Sequence, residues 1–125
     1  MKFKKYYISN NLGKSNCVIR TFCKVYNKNY DEVYNELLDI SSSLNCESYN
    51  ETKVFETYMK RNNTNSIRYG KGTKIKDLEL NDGTYIIFCW DRHDYYHMVT
   101  IIDNVLYDKD NKSFELYTIN IYEKR

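Results

Sequence analysis

The sequence predicts an α+β domain in which helices come first and an antiparallel β-sheet follows. Between residues 17 and 60, apolar side chains recur at spacings of three and four, which is the period of helices with one buried face. After about residue 66, short runs of β-branched and aromatic residues alternate with turns rich in Gly, Asn and Asp. Helices followed by strands are the order of an α+β domain, because α/β folds alternate the two.

The first predicted helix runs from Cys17 to Tyr26 and follows Ser15 and Asn16, which are both good N-cap residues. Its apolar stripe leaves Cys17 at one edge, half in the core and half facing out. A second helix is predicted from near Tyr30, with acids in its first turn, and a third over roughly residues 49–60.

Five later segments have the composition of strands, and residues 3–8 are a candidate for a short extended segment. The strongest is 84–90, which we expect at the centre of the sheet because it is rich in β-branched and aromatic residues. The predicted strands are residues 66–69, 84–90, 97–102, 105–108 and 114–122. Asp103-Asn104 then forms a two-residue hairpin turn.

Length and composition indicate one globular domain over residues 1–125, with a formal net charge of +2. The segment Met1-Lys2-Phe3-Lys4-Lys5 lacks the apolar stretch of a signal peptide, and no apolar run approaches the roughly 20 residues that span a bilayer. We therefore expect a cytoplasmic protein with reduced thiols and no membrane partner.

The charges fall into blocks. Residues 1–30 carry seven Lys or Arg and no acid, residues 31–59 carry seven acids and one Lys, and residues 60–76 carry six bases and no acid. Such blocks are usually solvated faces, but the first also surrounds Cys17 with positive charge that lowers the pKa of its thiol or attracts an acidic partner. Nucleic-acid binding through the basic blocks and the abundant tyrosines is an alternative, which the small net charge argues against.

Cys17, His97 and Asp108 are the predicted catalytic residues. A helix N-terminus stabilises negative charge, so Cys17 stands where a thiolate is favoured over a thiol. A thiol nucleophile needs a base to accept its proton, and a carboxylate orients that base and supports its charge. His97 opens a strand after a polar loop, and Asp108 ends the next strand.

The hairpin places His97 diagonal to Asp108 and directly opposite Asp110, so either carboxylate can reach the imidazole. We expect Asp108 to orient His97, with Asp110 as the alternative. Because His97 alternates with Val99 and Ile101, we also expect the first helix to pack on the face of the sheet that these two apolar residues share.

An acyl-transfer site also needs hydrogen-bond donors for the oxyanion, and the Cys17 backbone N–H is one. Two upstream amides are candidates for the second donor: Asn11, six residues before Cys17, and Asn16. Trp90 and His93 are candidate substrate contacts.

A zinc site is an alternative, because His93 and His97 have ligand-like spacing and Cys89 is near them in the sequence. However, the chain has no C-x-x-C motif, and an alternating strand scatters these side chains. We therefore expect neither a metal nor a cofactor.

Several segments together resemble a group of small phage and prophage proteins of papain-like fold. The matching segments cover most of residues 15–108 in order: Asn16-Cys17-Val18-Ile19-Arg20, Asn29-Tyr30-Asp31-Glu32-Val33-Tyr34, Gly72-Thr73-Lys74-Ile75-Lys76-Asp77, Asp82-Gly83-Thr84-Tyr85-Ile86-Ile87, His97-Met98-Val99-Thr100 and Asp103-Asn104-Val105-Leu106-Tyr107-Asp108. Each segment alone is a weak signal, and the ordered set is more specific.

The resemblance implies a papain-like cysteine hydrolase fold with Cys17, His97 and Asp108 as nucleophile, base and orienting acid. Papain itself has a glutamine six residues before its cysteine, where this chain has the shorter Asn11. The expected function is a phage-derived cysteine peptidase or amidase that cleaves a peptide or isopeptide carbonyl through a thioester, in the cytoplasm of a bacterial host. The alternative is a non-catalytic papain-fold binding module that engages a host defence or regulatory protein.

Overall fold

Three helices pack against one six-stranded mixed sheet in the computed structural model, which describes all 125 residues. The helices are α1 (Cys17–Tyr26), α2 (Tyr30–Ser43) and α3 (Thr52–Arg61). The strands are β1 (Lys2–Lys5), β2 (Thr64–Ile67), β3 (Thr84–Trp90), β4 (Tyr96–Ile102), β5 (Val105–Asp108) and β6 (Tyr117–Lys124). Two short 3₁₀ helices, Ile75–Asp77 and Asn111–Glu115, lie between strands. None of the three α-helices combines the length and the apolar character that a membrane span requires.

The strand order is β1-β5-β4-β3-β6-β2, so β3 and β4 are central, and the predicted α+β class is confirmed. The five later strands pair antiparallel, as expected, and β1 adds a parallel pair with β5 that was not predicted, so the sheet is mixed. The last strand begins at Tyr117, not at residue 114, since Asn111–Glu115 forms a 3₁₀ helix. The third helix begins at Thr52, a few residues later than predicted.

Asn16 and Asn27 set the two ends of α1. The Asn16 side chain accepts hydrogen bonds from the N–H groups of Val18 and Ile19, which is N-capping of the usual kind. Asn27 takes a left-handed conformation with φ of 55°, and its N–H donates to the Cys23 carbonyl. Because the chain has no proline, asparagine caps such as these define where its first helix starts and stops.

The sheet is buried on both faces, and the helices cover the face that carries Met98. Ile19 and Phe22 of α1 belong to one buried cluster with Ile86 and Met98. The expectation that α1 packs on the face of Val99 and Ile101 was therefore wrong. Hydrophobic alternation could not choose between the faces, because every residue from His97 to Ile101 is buried.

The opposite face forms a second core without help from any α-helix. Val99, Ile101 and Leu106 pack there with Ile75 of the first 3₁₀ helix. Phe3 of β1 and Phe114 also lie against this cluster, with ring centroids 6.2 Å apart. The N-terminal strand and the two 3₁₀ helices thus replace the helical layer on this side.

Strands β4 and β5 part near the start of β4, and α1 fills the space between them. The β4–β5 ladder extends only to the pair of Thr100 and Tyr107. At Met98 the neighbouring groups belong to α1: the Thr21 hydroxyl donates to the Met98 carbonyl at 3.2 Å, and the Met98 N–H is close enough to the Cys17 sulfur to lower the pKa of that thiol. A side chain of α1 therefore makes a hydrogen bond to β4 that a strand would otherwise make.

Replacing Thr21 with valine tests this junction. Thr21→Val keeps the side-chain shape but leaves the buried Met98 carbonyl without its donor, so we expect a loss of about 1–3 kcal/mol in the free energy of unfolding. Urea denaturation measures this loss. Thr57→Val is the matched control, because the Thr57 hydroxyl bonds only to the Lys53 carbonyl at the surface of α3. Equal effects for the two variants would contradict the proposed role of the junction.

Candidate functional site

Cys17 is the first residue of α1 and is half-buried. The Asn16 carboxamide oxygen accepts from Val18 N–H at 2.9 Å and from Ile19 N–H at 3.2 Å. This cap satisfies the second and third N–H groups of the helix and leaves the Cys17 N–H, which has no intrahelical acceptor, free to bind another group. The thiol therefore lies beside a free backbone donor at the positive end of a helix dipole.

His97 and Asp108 form a buried pair next to this helix start. His97 Nε2 lies 2.8 Å from Asp108 Oδ2, and the two residues are only 4% and 5% exposed. Asp103 and Asn104 make the predicted two-residue turn, with φ of 48° and 64°, so that Ile102 pairs with Val105. The predicted proximity of His97 and Asp108 is confirmed.

Asp110 has a different role from the one left open by the sequence. Its carboxylate accepts from the Lys112 N–H at 2.9 Å and caps the 3₁₀ helix Asn111–Glu115. Of the two candidate acids, Asp108 alone bonds to the imidazole. Since Asp108 occupies Nε2, the remaining ring nitrogen of His97 is Nδ1, which is available to Cys17.

The environment of Cys17 favours its thiolate. Burial by itself would raise the pKa of this thiol, but a hydrogen bond from His97 and the charge of His97 lower it. The Met98 N–H and the charge of Arg20 lower the pKa further, so that it falls below the usual value. The lowered pKa increases the share of thiolate, which is the nucleophilic form of cysteine.

The pKa of His97 is raised and that of Asp108 is lowered. Burial would lower the pKa of His97, but hydrogen bonds to Asp108 and Cys17 and the charges of both raise it to about 9. Burial would raise the pKa of Asp108, and the bond and charge of His97 with the Lys109 N–H lower it instead. The charged forms of Cys17, His97 and Asp108 therefore stabilise one another.

Two of the other cysteines have a raised thiol pKa, in contrast to Cys17. Cys23 and Cys89 are buried, and burial raises the pKa of Cys23 to about 11 and that of Cys89 well above its normal range. Cys89 donates its S–H to the His97 carbonyl at 3.4 Å. These two thiols are packing residues, so the low pKa is a property of the Cys17 site and not of the whole protein.

A groove of about 530 Å³ opens over Cys17 and His97. Its lining combines aromatic and polar side chains: Phe55, Phe88 and Tyr96 are the aromatic residues, and Asn16, Asn50 and Thr52 are among the polar ones. The rings of Phe88 and Tyr96 are stacked at 5.8 Å.

Three residues predicted for the site lie outside this groove. Asn11 is exposed in the turn before α1 and does not line the groove, so its predicted role as an oxyanion donor gains no support from the structure. Trp90 stacks against Tyr96 at 5.5 Å, behind the groove wall. His93 is exposed in the loop before β4, where its N–H donates to Asp91. Asn16 is the one predicted amide that borders Cys17.

Three other residues of the site were not predicted from the sequence. Arg20 lies 3.9 Å from Asp108, and its position one helical turn after Cys17 is a spacing signal that could have identified it. Tyr95 stacks on the His97 ring at 5.6 Å. Asn50 reaches the groove from the segment before α3, and no local sequence pattern places it there.

The zinc alternative required Cys89, His93 and His97 to converge. The structure separates them, because Cys89 is buried, His93 is exposed in a loop and the His97 imidazole is bonded to Asp108. No group of three or more His, Cys, Asp or Glu side chains has the arrangement of a metal site.

Alkylation with iodoacetamide tests the low pKa of Cys17. In a Cys46→Ser background, which removes the other accessible thiol, we expect Cys17 to react at a pH below the usual thiol range. His97→Ala should move the reaction to higher pH, because the imidazolium no longer stabilises the thiolate. Mass spectrometry after digestion locates the adduct, with Cys23 and Cys89 as buried internal references. A Cys17 that stays unmodified at about pH 7 would contradict this description of the site.

Comparison of the chain with protein-family models, with curated proteins and with solved structures gives no match.

Proposed function

We propose that this protein is a papain-like thiol hydrolase, a cysteine peptidase or amidase that cleaves a peptide or isopeptide bond through a thioester. One observation carries the proposal: Asp108 holds the His97 imidazole at 2.8 Å through Nε2, and His97 lines the same groove as Cys17 at the start of a helix. Nucleophile, base and orienting acid are the minimum set for covalent acyl transfer by a thiol.

In the first half-reaction, the Cys17 thiolate attacks the carbonyl carbon of the substrate and the carbonyl oxygen becomes an oxyanion. When this tetrahedral adduct collapses, the carbon–nitrogen bond breaks. The His97 imidazolium gives its proton to the departing nitrogen, so that an amine leaves and a thioester on Cys17 remains. The imidazole is now neutral, and Asp108 holds its orientation through Nε2.

In the second half-reaction, water attacks the thioester while neutral His97 accepts one of its protons. Collapse of the second adduct breaks the carbon–sulfur bond and releases the carboxylic acid. Cys17 returns as a thiolate and His97 as an imidazolium, so the starting ion pair is restored. The proton from water thus replaces the proton that His97 gave to the amine.

The oxyanion has two candidate donors on the same side of the nucleophile. The Cys17 N–H is free because the Asn16 cap takes the next two N–H groups. The same cap fixes the Asn16 carboxamide by its oxygen, which leaves the amide nitrogen for donation. That nitrogen bonds to Asn50 at 3.4 Å, which is long enough to be replaced by a better acceptor.

The groove supports a substrate with an apolar or aromatic group beside the reacting carbonyl. Phe55, Phe88 and Tyr96 provide apolar area in the groove, while Asn50 and Thr52 offer hydrogen bonds to a peptide backbone. The resemblance to small phage and prophage proteins points to a protein of a bacterial host cell as the source of that peptide, with the cytoplasm as the location.

Peptide hydrolysis is the direct test. A peptide library with varied aromatic content is incubated with the protein, and mass spectrometry identifies the products. Replacement of the nucleophile in Cys17→Ala or of the base in His97→Gln should lower the rate by about 10³-fold or more, because triad members act as a unit. Cys46→Ser should match the unmodified protein. Cleavage that survives in Cys17→Ala would contradict the proposal, and complete inertness would favour the binding-module alternative.

The pH dependence of the rate constant kcat/KM provides a separate prediction. The rate should rise as Cys17 loses its proton, below the pH at which ordinary thiols ionise, because its pKa is lowered. It should fall again as pH passes about 9, because the His97 imidazolium then loses the proton that the leaving amine needs. A rate that keeps rising with pH beyond this range would contradict the assignment of His97 as the acid.

A further inference from the structure

Arg20 is the only lysine or arginine that is buried, with 7% of its surface exposed. A buried guanidinium loses its hydration, so it must find partners in the protein. Its Nη1 donates to the Ser15 hydroxyl at 2.9 Å, and its charge lies 5.8 Å from the centre of the Tyr7 ring. Its only acidic partner is Asp108, at 3.9 Å between Nη2 and Oδ1.

The two carboxylate oxygens of Asp108 have different partners. Oδ2 bonds to His97 at 2.8 Å, while Oδ1 accepts from the Lys109 N–H at 2.8 Å and lies next to Arg20. Cys17 and Arg20 are one turn apart on α1. The series from Cys17 through His97 and Asp108 to Arg20 thus starts and ends on the same helix.

We propose that Arg20 is a positioning residue of the catalytic site, which ties the Asp108 carboxylate to the nucleophile helix and places a fixed positive charge beside the Cys17 thiolate. This inference rests on the proposed function. A second contact fixes the guanidinium itself, since the Ser15 hydroxyl that accepts from Arg20 donates in turn to the Ile8 carbonyl at 2.7 Å. Arg20 thus has a hydrogen bond to Ser15 on one side and an ion pair with Asp108 on the other.

The charge of Arg20 has a measurable consequence. Burial raises the pKa of Cys17 and His97 lowers it, and the Arg20 charge adds to the lowering. The other titratable groups whose charges interact with Cys17 are Cys89 on β3, Tyr49 before α3 and Tyr95 before β4. None of these is a cation, so removal of Arg20 leaves the imidazolium as the only positive side chain that acts on the thiolate.

The pH profile of Cys17 alkylation, measured in the Cys46→Ser background, tests the inference. Arg20→Gln should move the midpoint to higher pH and slow alkylation about tenfold at about pH 6, because less thiolate is present there. Arg20→Lys should recover most of the rate, since it restores the charge without the guanidinium hydrogen bond to Ser15. Lys24→Gln is the matched control: it removes the same charge from the same helix, but Lys24 lies over the rings of Tyr6 and Tyr107 and not beside Asp108.

A purely structural role for Arg20 would lower the melting temperature without a shift of the midpoint, and that result would overturn the inference. An equal shift in Lys24→Gln would also overturn it. If Arg20→Gln does not fold, Ser15→Ala takes its place, because it frees one side of the guanidinium and should give a smaller shift in the same direction. No shift in Ser15→Ala would then count against the inference.

The outcome for the unmodified protein separates this inference from the proposed function. A reactive Cys17 whose midpoint ignores Arg20 refutes only the positioning role. A Cys17 that is unreactive at about pH 7 in the unmodified protein counts against the hydrolase itself.

Discussion

The N-terminal half of α1 lies against the start of β4 and bonds to its backbone. Elsewhere in the sheet, a neighbouring strand makes such bonds. Because the β4–β5 ladder stops at Thr100, the polar backbone of Met98 turns to Thr21 and Cys17 for partners. This junction places the Cys17 sulfur next to Met98 and His97. The turn at Asp103-Asn104 then brings Asp108 back beside His97.

The same junction concentrates charge where little water can screen it. His97 and Asp108 are almost fully buried, and Arg20 is buried beside them. A single buried charge would be costly, so the site is stable only because positive and negative groups alternate along it and the helix dipole adds to the positive side. The low pKa of Cys17 and the high pKa of His97 are two consequences of one arrangement, since each charge supports the other.

Local features of the site were predictable from the sequence, while its three-dimensional setting was not. Helix-capping chemistry located Cys17 at a helix start, and the turn at Asp103-Asn104 set the register that joins His97 to Asp108. The packing face of α1 could not be inferred, because β4 is buried on both sides and alternation carries no information there. The same limit applies to β1, whose parallel pairing with β5 depends on a contact distant in sequence, and to Asn50, which only the position of α3 brings to the groove.

Titration of the His97 imidazole by NMR tests the central claim most directly, because it observes the ion pair without the need for a substrate. The chain has two histidines, so a His93→Asn variant assigns the two sets of signals. The account predicts that His97 stays protonated until the pH approaches about 9 and loses its proton at lower pH in Cys17→Ala, where no thiolate supports the charge. An imidazole that titrates as a free histidine does, at about pH 6.5, and does not respond to Cys17→Ala would contradict the existence of the ion pair.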